Sequence, residues 1–133
     1  SNSYTCKGLE TCKKYTFTVR AYKKANTGTF LSAYNKKGIS GTPKLSTPEL
    51  KSVKRSASGV TFRWKKTAGA TGYIVYRKAN NGSWRALCAT NNVSYKDTVA
   101  KKGVKYTYTV RAYRKTSIGN VYSSYNAKGI SVK

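Results

Sequence analysis

The side chains that do acid–base or metal chemistry are nearly missing from this chain. Its 133 residues include no His and three acids, Glu10, Glu49 and Asp97. Without imidazole, no unperturbed side chain changes charge near neutral pH. Three scattered carboxylates form no convincing acid–base pair. Cys6, Cys12 and Cys88 do not form a recognised zinc spacing, and no Gly-rich loop is built to cradle a phosphate. The sequence names no catalytic, cofactor-binding or metal-binding residue, so the expectation is a protein that is not an enzyme.

Charge and aromatic side chains remain as the available chemistry. Lys and Arg number 27, for a formal net charge of +24, and the excess runs along the whole chain. Such a chain repels its own copies and is attracted to polyanions, among them nucleic acid, teichoic acid, acidic polysaccharide and anionic lipid. Arg111, Tyr113, Arg114 and Lys115 stand together, and Tyr beside Arg or Lys can stack on a sugar or base while meeting an anion. The same side chains can equally pack across strands on an exposed sheet face. Nothing in the pattern argues for sequence-specific recognition of nucleic acid. No run approaches the ~20 apolar residues of a membrane span.

The elements that position these groups are announced by a repeat. Lys14 to Ser40 and Lys105 to Ser131 align without a gap at an offset of 91 residues, with 17 of 27 positions identical. A period of this size matches one small β-sandwich domain of roughly 100 residues and marks a tandem array. The chain reads as the back half of one repeat, residues 1–41, followed by a complete repeat, 42–133. The stretch 41–48 (GTPKLSTP) reads as a linker, since Pro cannot donate to a sheet ladder.

Within the complete repeat, turn signals separate short runs of period two. Val60, Phe62 and Trp64 alternate with Thr61, Arg63 and Lys65. Tyr106, Tyr108, Val110 and Ala112 alternate with Thr107, Thr109, Arg111 and Tyr113. Alternation of this kind buries one face and wets the other, and the β-branched and aromatic residues suit strands. Seven strands follow: A, 48–56; B, 59–66; C, 72–79; C′, 83–89; E, 92–97; F, 104–115; G, 119–132. Asn81-Gly82 is expected to supply the positive φ angles of a tight C–C′ hairpin. The predicted fold class is all-β, a seven-stranded β-sandwich.

Val60-x-Phe62-x-Trp64, Gly72-Tyr73-Ile74-Val75-Tyr76-Arg77, Tyr95-x-Asp97 and Gly103-x-x-Tyr106-x-Tyr108-x-Val110-Arg111-Ala112-Tyr113 together resemble the fibronectin type III domain. The likeness is nearest to tandem modules of bacterial surface and secreted proteins. It covers 43–133, and its F and G part covers 4–40. The resemblance implies a core of Trp64, Tyr73, Val75, Tyr106, Tyr108 and Val110. Trp64 would fill the space between sheets. Tyr106 would tie its hydroxyl to the E–F link, with Tyr15 as its first-copy counterpart. Asp97 takes a structural turn role. No Arg-Gly-Asp tripeptide is present.

In the same frame, Cys6 aligns with Asp97 and Cys12 with Gly103, both in the first copy's E–F link. A disulfide between them would close that corner and suit an oxidising setting. The alternative is two thiols that never meet. Cys88 follows Leu87 on a strand and reads as a small apolar residue. Residues 4–40 are expected to form strands E, F and G with Tyr15, Phe17, Val19 and Ala21 on an unpartnered inward face. A lone hairpin is marginal in water, which leaves three outcomes: disorder, docking on the complete domain, or pairing with the same segment of another chain, the last being the expectation adopted. The function implied is a non-catalytic, extracellular structural, adhesive or assembly repeat, secreted or on a cell surface. The alternative is a module that binds an anionic cell-wall polymer or glycan.

Overall fold

A computed structural model describes residues 1–133, with strands, turns and loops and no helix. The chain divides into two compact units, Ser1–Pro43 and Lys44–Lys133. The first has four short strands, β1 (Tyr15–Phe17), β2 (Tyr22–Ala25), β3 (Gly28–Leu31) and β4 (Ile39–Gly41). β1 pairs with β4 and β2 with β3, both antiparallel.

The second unit has eight strands. They are β5 (Leu50–Ser56), β6 (Gly59–Trp64), β7 (Gly72–Ala79), β8 (Arg85–Thr90), β9 (Ser94–Asp97), β10 (Tyr106–Thr116), β11 (Gly119–Tyr125) and β12 (Ile130–Val132). One sheet runs β5-β6-β9. The other runs β11-β10-β7-β8, with β12 also on β10. Every pairing is antiparallel.

Alternation decides what each strand buries. Val60, Phe62 and Trp64 of β6, Tyr73 and Val75 of β7, and Tyr106, Tyr108, Val110 and Ala112 of β10 are buried together. Phe62 stacks on Tyr108 with centroids 5.7 Å apart, joining strands of different sheets. Trp64 lies 5.0 Å from Phe62 and meets Tyr73 edge-on at 5.5 Å. Each large apolar side chain so buried contributes roughly 1.5–3 kcal/mol. The Trp64 indole N–H is buried without a partner. That unmet donor works against the packing by about 1–3 kcal/mol.

Four details depart from the sequence reading. Leu45, inside the expected linker, is buried in this core, so the second unit begins before its first strand. The left-handed residue of the β7–β8 turn is Asn80, with φ 48°, rather than Asn81 or Gly82. The last expected strand, 119–132, is two strands broken by a turn. There the Asn126 carboxamide oxygen accepts the Lys128 and Gly129 N–H groups, both at 3.1 Å. Gly129, with φ 65°, crosses so close over β10 that a Cβ would sit 2.6 Å from the Tyr108 carbonyl.

The fourth concerns the first copy. No E strand forms in residues 1–14, and its F strand is interrupted between β1 and β2. The second unit shows the reason. There β9 pairs with β6, and β10 is held continuous by β7 from Tyr106↔Ala79 to Tyr113↔Gly72. The first unit has no strand equivalent to β6 or β7.

Candidate functional site

The one buried charge network belongs to the scaffold. Asp97, at the end of β9, is fully buried. Arg77 Nη1 donates to its Oδ2 at 2.7 Å, and the Tyr108 hydroxyl donates to the same oxygen at 2.8 Å. The Val99 N–H donates to Oδ1 at 3.2 Å. The Arg77 guanidinium also lies 4.8 Å from the centre of the Tyr106 ring. Burial works to lower the Arg77 pKa, but the hydrogen bond and charge of Asp97 outweigh it and the net shift is upward. Burial first, then the hydrogen bond to Asp97 and its charge, hold the Tyr108 phenol well above its ordinary range. A carboxylate so fully engaged is a tie between β7, β9 and β10 rather than a reactive group.

At the E–F link, the Tyr106 hydroxyl accepts the Lys101 N–H at 3.3 Å. Arg55 donates to the Ala100 and Lys101 carbonyls. In the first unit the Tyr15 hydroxyl accepts the Glu10 N–H at 3.0 Å.

The outward face of the larger sheet carries the polar and aromatic chemistry. Tyr76 of β7 stacks on Tyr125 of β11 with centroids 6.3 Å apart. Lys78 sits over the Trp84 ring at 4.8 Å, and Arg111 sits over the Tyr122 ring at 5.2 Å. Arg111 is fixed from behind, its Nε donating to the Ser123 carbonyl at 2.6 Å. Tyr76, Trp84, Arg111 and Tyr125 line a shallow cleft of about 230 Å³.

This arrangement replaces the cluster read from sequence. Arg111 and Tyr113 do share the outward face, but Tyr113 is half-buried over Gly72 and against Tyr122. Arg114 turns away by strand alternation and donates to the Gly69 carbonyl at the end of the unit. The Lys115 side chain is exposed, and its N–H donates to Thr71 Oγ1. Arg114 is one residue out of phase with Arg111, Tyr113 and Lys115, so the four residues do not make one surface. Tyr76, Trp84 and Tyr125 supply what the cluster lacked. The outward half of the β7 alternation was the legible signal for Tyr76.

The cysteines are all free. The bridge drawn between Cys6 and Cys12 is not formed. Cys6 is exposed and Cys12 half-buried. Cys12 has φ 67° where its equivalent Gly103 has φ 79°, so a thiol residue occupies a turn position that favours glycine. Cys88 is half-buried beside the core, and burial pushes its thiol pKa up, away from the reactive thiolate. No group of three His, Cys, Asp or Glu comes together to hold a metal. No helix is long and apolar enough to cross a membrane, which says nothing of a β-barrel.

The first unit presents a different feature. Phe17, Val19 and Ile39 are 42%, 85% and 79% exposed. With Tyr4 and Leu9 they line an open apolar groove of about 790 Å³.

No family model matches the chain. Exoglucanase B of Cellulomonas fimi is 29% identical over 143 residues, an alignment covering 100% of this chain and 12% of that protein. The chain is similar to a small part of that protein, and most of the relative's length has no counterpart here.

Proposed function

We propose that this chain is a stretch of a non-catalytic, extracellular array of fibronectin type III-like repeats, in which Lys44–Lys133 is one complete repeat and Ser1–Pro43 the back half of another. The observation that carries the reading is the strand order. β5-β6-β9 faces β8-β7-β10-β11, with Trp64 between the sheets and the Tyr106 hydroxyl closing the link before β10. That order supports the reading because it agrees with the A-B-E and C′-C-F-G order that the resemblance implies. Support also comes from the likeness to part of an exoglucanase, in which a segment of this kind would serve as an accessory module. Its role is mechanical: a stiff, cationic unit that sets distances between parts of a surface or secreted protein. The test is activity and binding together on the purified chain. We expect no hydrolysis of cello-oligosaccharides and no retention on insoluble cellulose at high salt. Turnover of a glycan by the isolated chain contradicts the reading.

A second reading is favoured by the outward cleft. Tyr76, Trp84 and Tyr125 offer ring faces, and Arg111 and Lys78 offer charge beside them. That combination suits an anionic glycan or cell-wall polymer: rings stack on sugar faces while the cations meet phosphate or carboxylate. The cross-strand contacts of these rings also stabilise the sheet, so the test must separate binding from folding, as set out below.

A further inference from the structure

The geometry points to the outward face of the sheet β5-β6-β9 as a binding surface for a flexible phosphodiester chain that carries no bases. This face is on the opposite side of the second unit from the aromatic cleft and does not depend on it.

Three strands set the surface. Their register puts Lys54, Thr61 and Lys96 in one row across β5, β6 and β9, and Ser52, Arg63 and Ser94 in another. Val53, Phe62 and Tyr95 form the row between and pack on the core. Alternation therefore turns both polar rows outward, and Lys54, Arg63 and Lys96 are exposed. Cations and hydroxyls alternate in both directions. Each cation has a hydroxyl residue beside it on the next strand and another two residues along its own. No two cations are nearest neighbours.

The second unit has two acids, and neither serves this face. Asp97 is buried on the inward side and paired with Arg77. Glu49, just before β5, is held by Lys51 and Lys65. No ion pair engages Lys54, Arg63 or Lys96. Edge protection explains part of the pattern, because β5 and β9 are the sheet's edges and lysine there discourages strand addition. Arg63 stands on the central strand, where there is no edge to guard. A surface kept only soluble mixes both signs of charge; this one carries a single sign.

The pattern also selects the ligand. Strand geometry puts the three cationic residues about 8–10 Å apart, close to one Debye length at physiological salt. A chain with several anions meets all three, whereas a single small anion meets one. A tetrahedral phosphate can accept a charge-assisted bond from a cation and a second bond from the adjacent hydroxyl. Arg63 adds a planar fork of donors. Neither row holds an aromatic side chain, so nothing on this face stacks on a base.

The test titrates the 15N-labelled full chain with a synthetic glycerol phosphate hexamer. Amides of Ser52–Lys54, Thr61–Arg63 and Ser94–Lys96 should shift, and those of Tyr76, Trp84 and Tyr125 should stay in place. Lys54→Gln, Arg63→Gln and Lys96→Gln together should weaken binding about tenfold or more. They should also flatten the slope of log affinity against log salt by about 2, since each lost contact to a flexible strand removes about 0.7. Lys23→Gln, Lys24→Gln and Lys36→Gln in the first unit remove the same charge and should leave affinity within about twofold. Arg63→Lys keeps the charge but loses the fork, so binding should fall about threefold at an unchanged salt slope. All these side chains are exposed, and thermal unfolding of each variant verifies that the fold is kept. Equal weakening by the two triple variants overturns the inference in favour of net charge alone. Shifts confined to Tyr76, Trp84 and Tyr125 overturn it in favour of the cleft. Tighter binding of an oligothymidylate with the same number of phosphates overturns it in favour of base recognition. It also fails if an oligoglutamate of equal charge binds as well as the hexamer, or if the hexamer does not bind at low salt.

Discussion

The Tyr108 hydroxyl donates to Asp97 across 2.8 Å of fully buried space, and the first copy of the repeat has neither group. Phe17 and Cys6 stand in their places. Losing both partners together leaves no orphaned acceptor, whereas losing one leaves a buried polar atom unmet. The two copies have thus kept their register and exchanged a polar pair for a less polar one.

Tyr108→Phe in the complete unit is expected to lower stability by about 1.5–3 kcal/mol at neutral pH, since the lost hydrogen bond goes to a charged acceptor. The deficit should depend on pH. Folding raises the Tyr108 pKa above its unfolded value of about 10. The stabilisation is therefore fully present below pH ~10 and is lost as pH rises through the higher folded value. Urea unfolding of both proteins from pH 7 to 11 should show a constant gap that narrows above pH ~10. A gap that widens in alkali contradicts the assignment.

Asp97→Cys alone should be severe, about 3–5 kcal/mol, because Arg77 is left charged and unpaired in a largely buried site. Adding Tyr108→Phe and Arg77→Leu should recover most of that loss. A set of unfolding curves for the single, double and triple variants measures the coupling. Simple additivity of the three losses would argue against one shared network.

Gly129→Ala is expected to destabilise by more than 1 kcal/mol. It forces a side chain into φ 65° and within 2.6 Å of the Tyr108 carbonyl. Gly41→Ala, where a Cβ meets nothing within 4 Å, is the control. Thermal unfolding of the two variants should separate them clearly.

Retention on a polyanion such as heparin should fall steeply with added salt. Tyr76→Ala and Trp84→Ala are expected to weaken binding to anionic glycan several-fold, about 1 kcal/mol per lost ring contact. Lys115→Gln, on the exposed strand end, should alter only the salt slope. Equilibrium unfolding of each variant removes the part due to folding. If Tyr76→Ala and Trp84→Ala bind as the parent does, the cleft is sheet packing alone.

Much of the sheet structure is visible in the period-two alternation, because each strand has one dry face and one wet one. Trp64, Tyr73 and Tyr108 stand on the dry side of such runs and are buried. What alternation misses is long-range. Leu45 lies between two prolines in a stretch of loop composition, and only the closed sandwich makes it core. The break at Asn126–Gly129 depends on one carboxamide accepting two N–H groups, which no hydrophobic period encodes. The outward cleft is assembled from Tyr76, Trp84, Arg111 and Tyr125, far apart in sequence and joined only by strand pairing. Of the cluster Arg111, Tyr113, Arg114 and Lys115, strand alternation takes only Arg114 off the outward face.

The central claim is that one back-half ribbon is closed by a front half and the other is bare. Native-state hydrogen exchange on the full chain tests it most directly. The amides of β10 and β12 should exchange only through global unfolding of Lys44–Lys133, while those of β1 and β4, in the same register, should exchange orders of magnitude faster. Equal protection of the two ribbons in a monomeric sample would contradict the account.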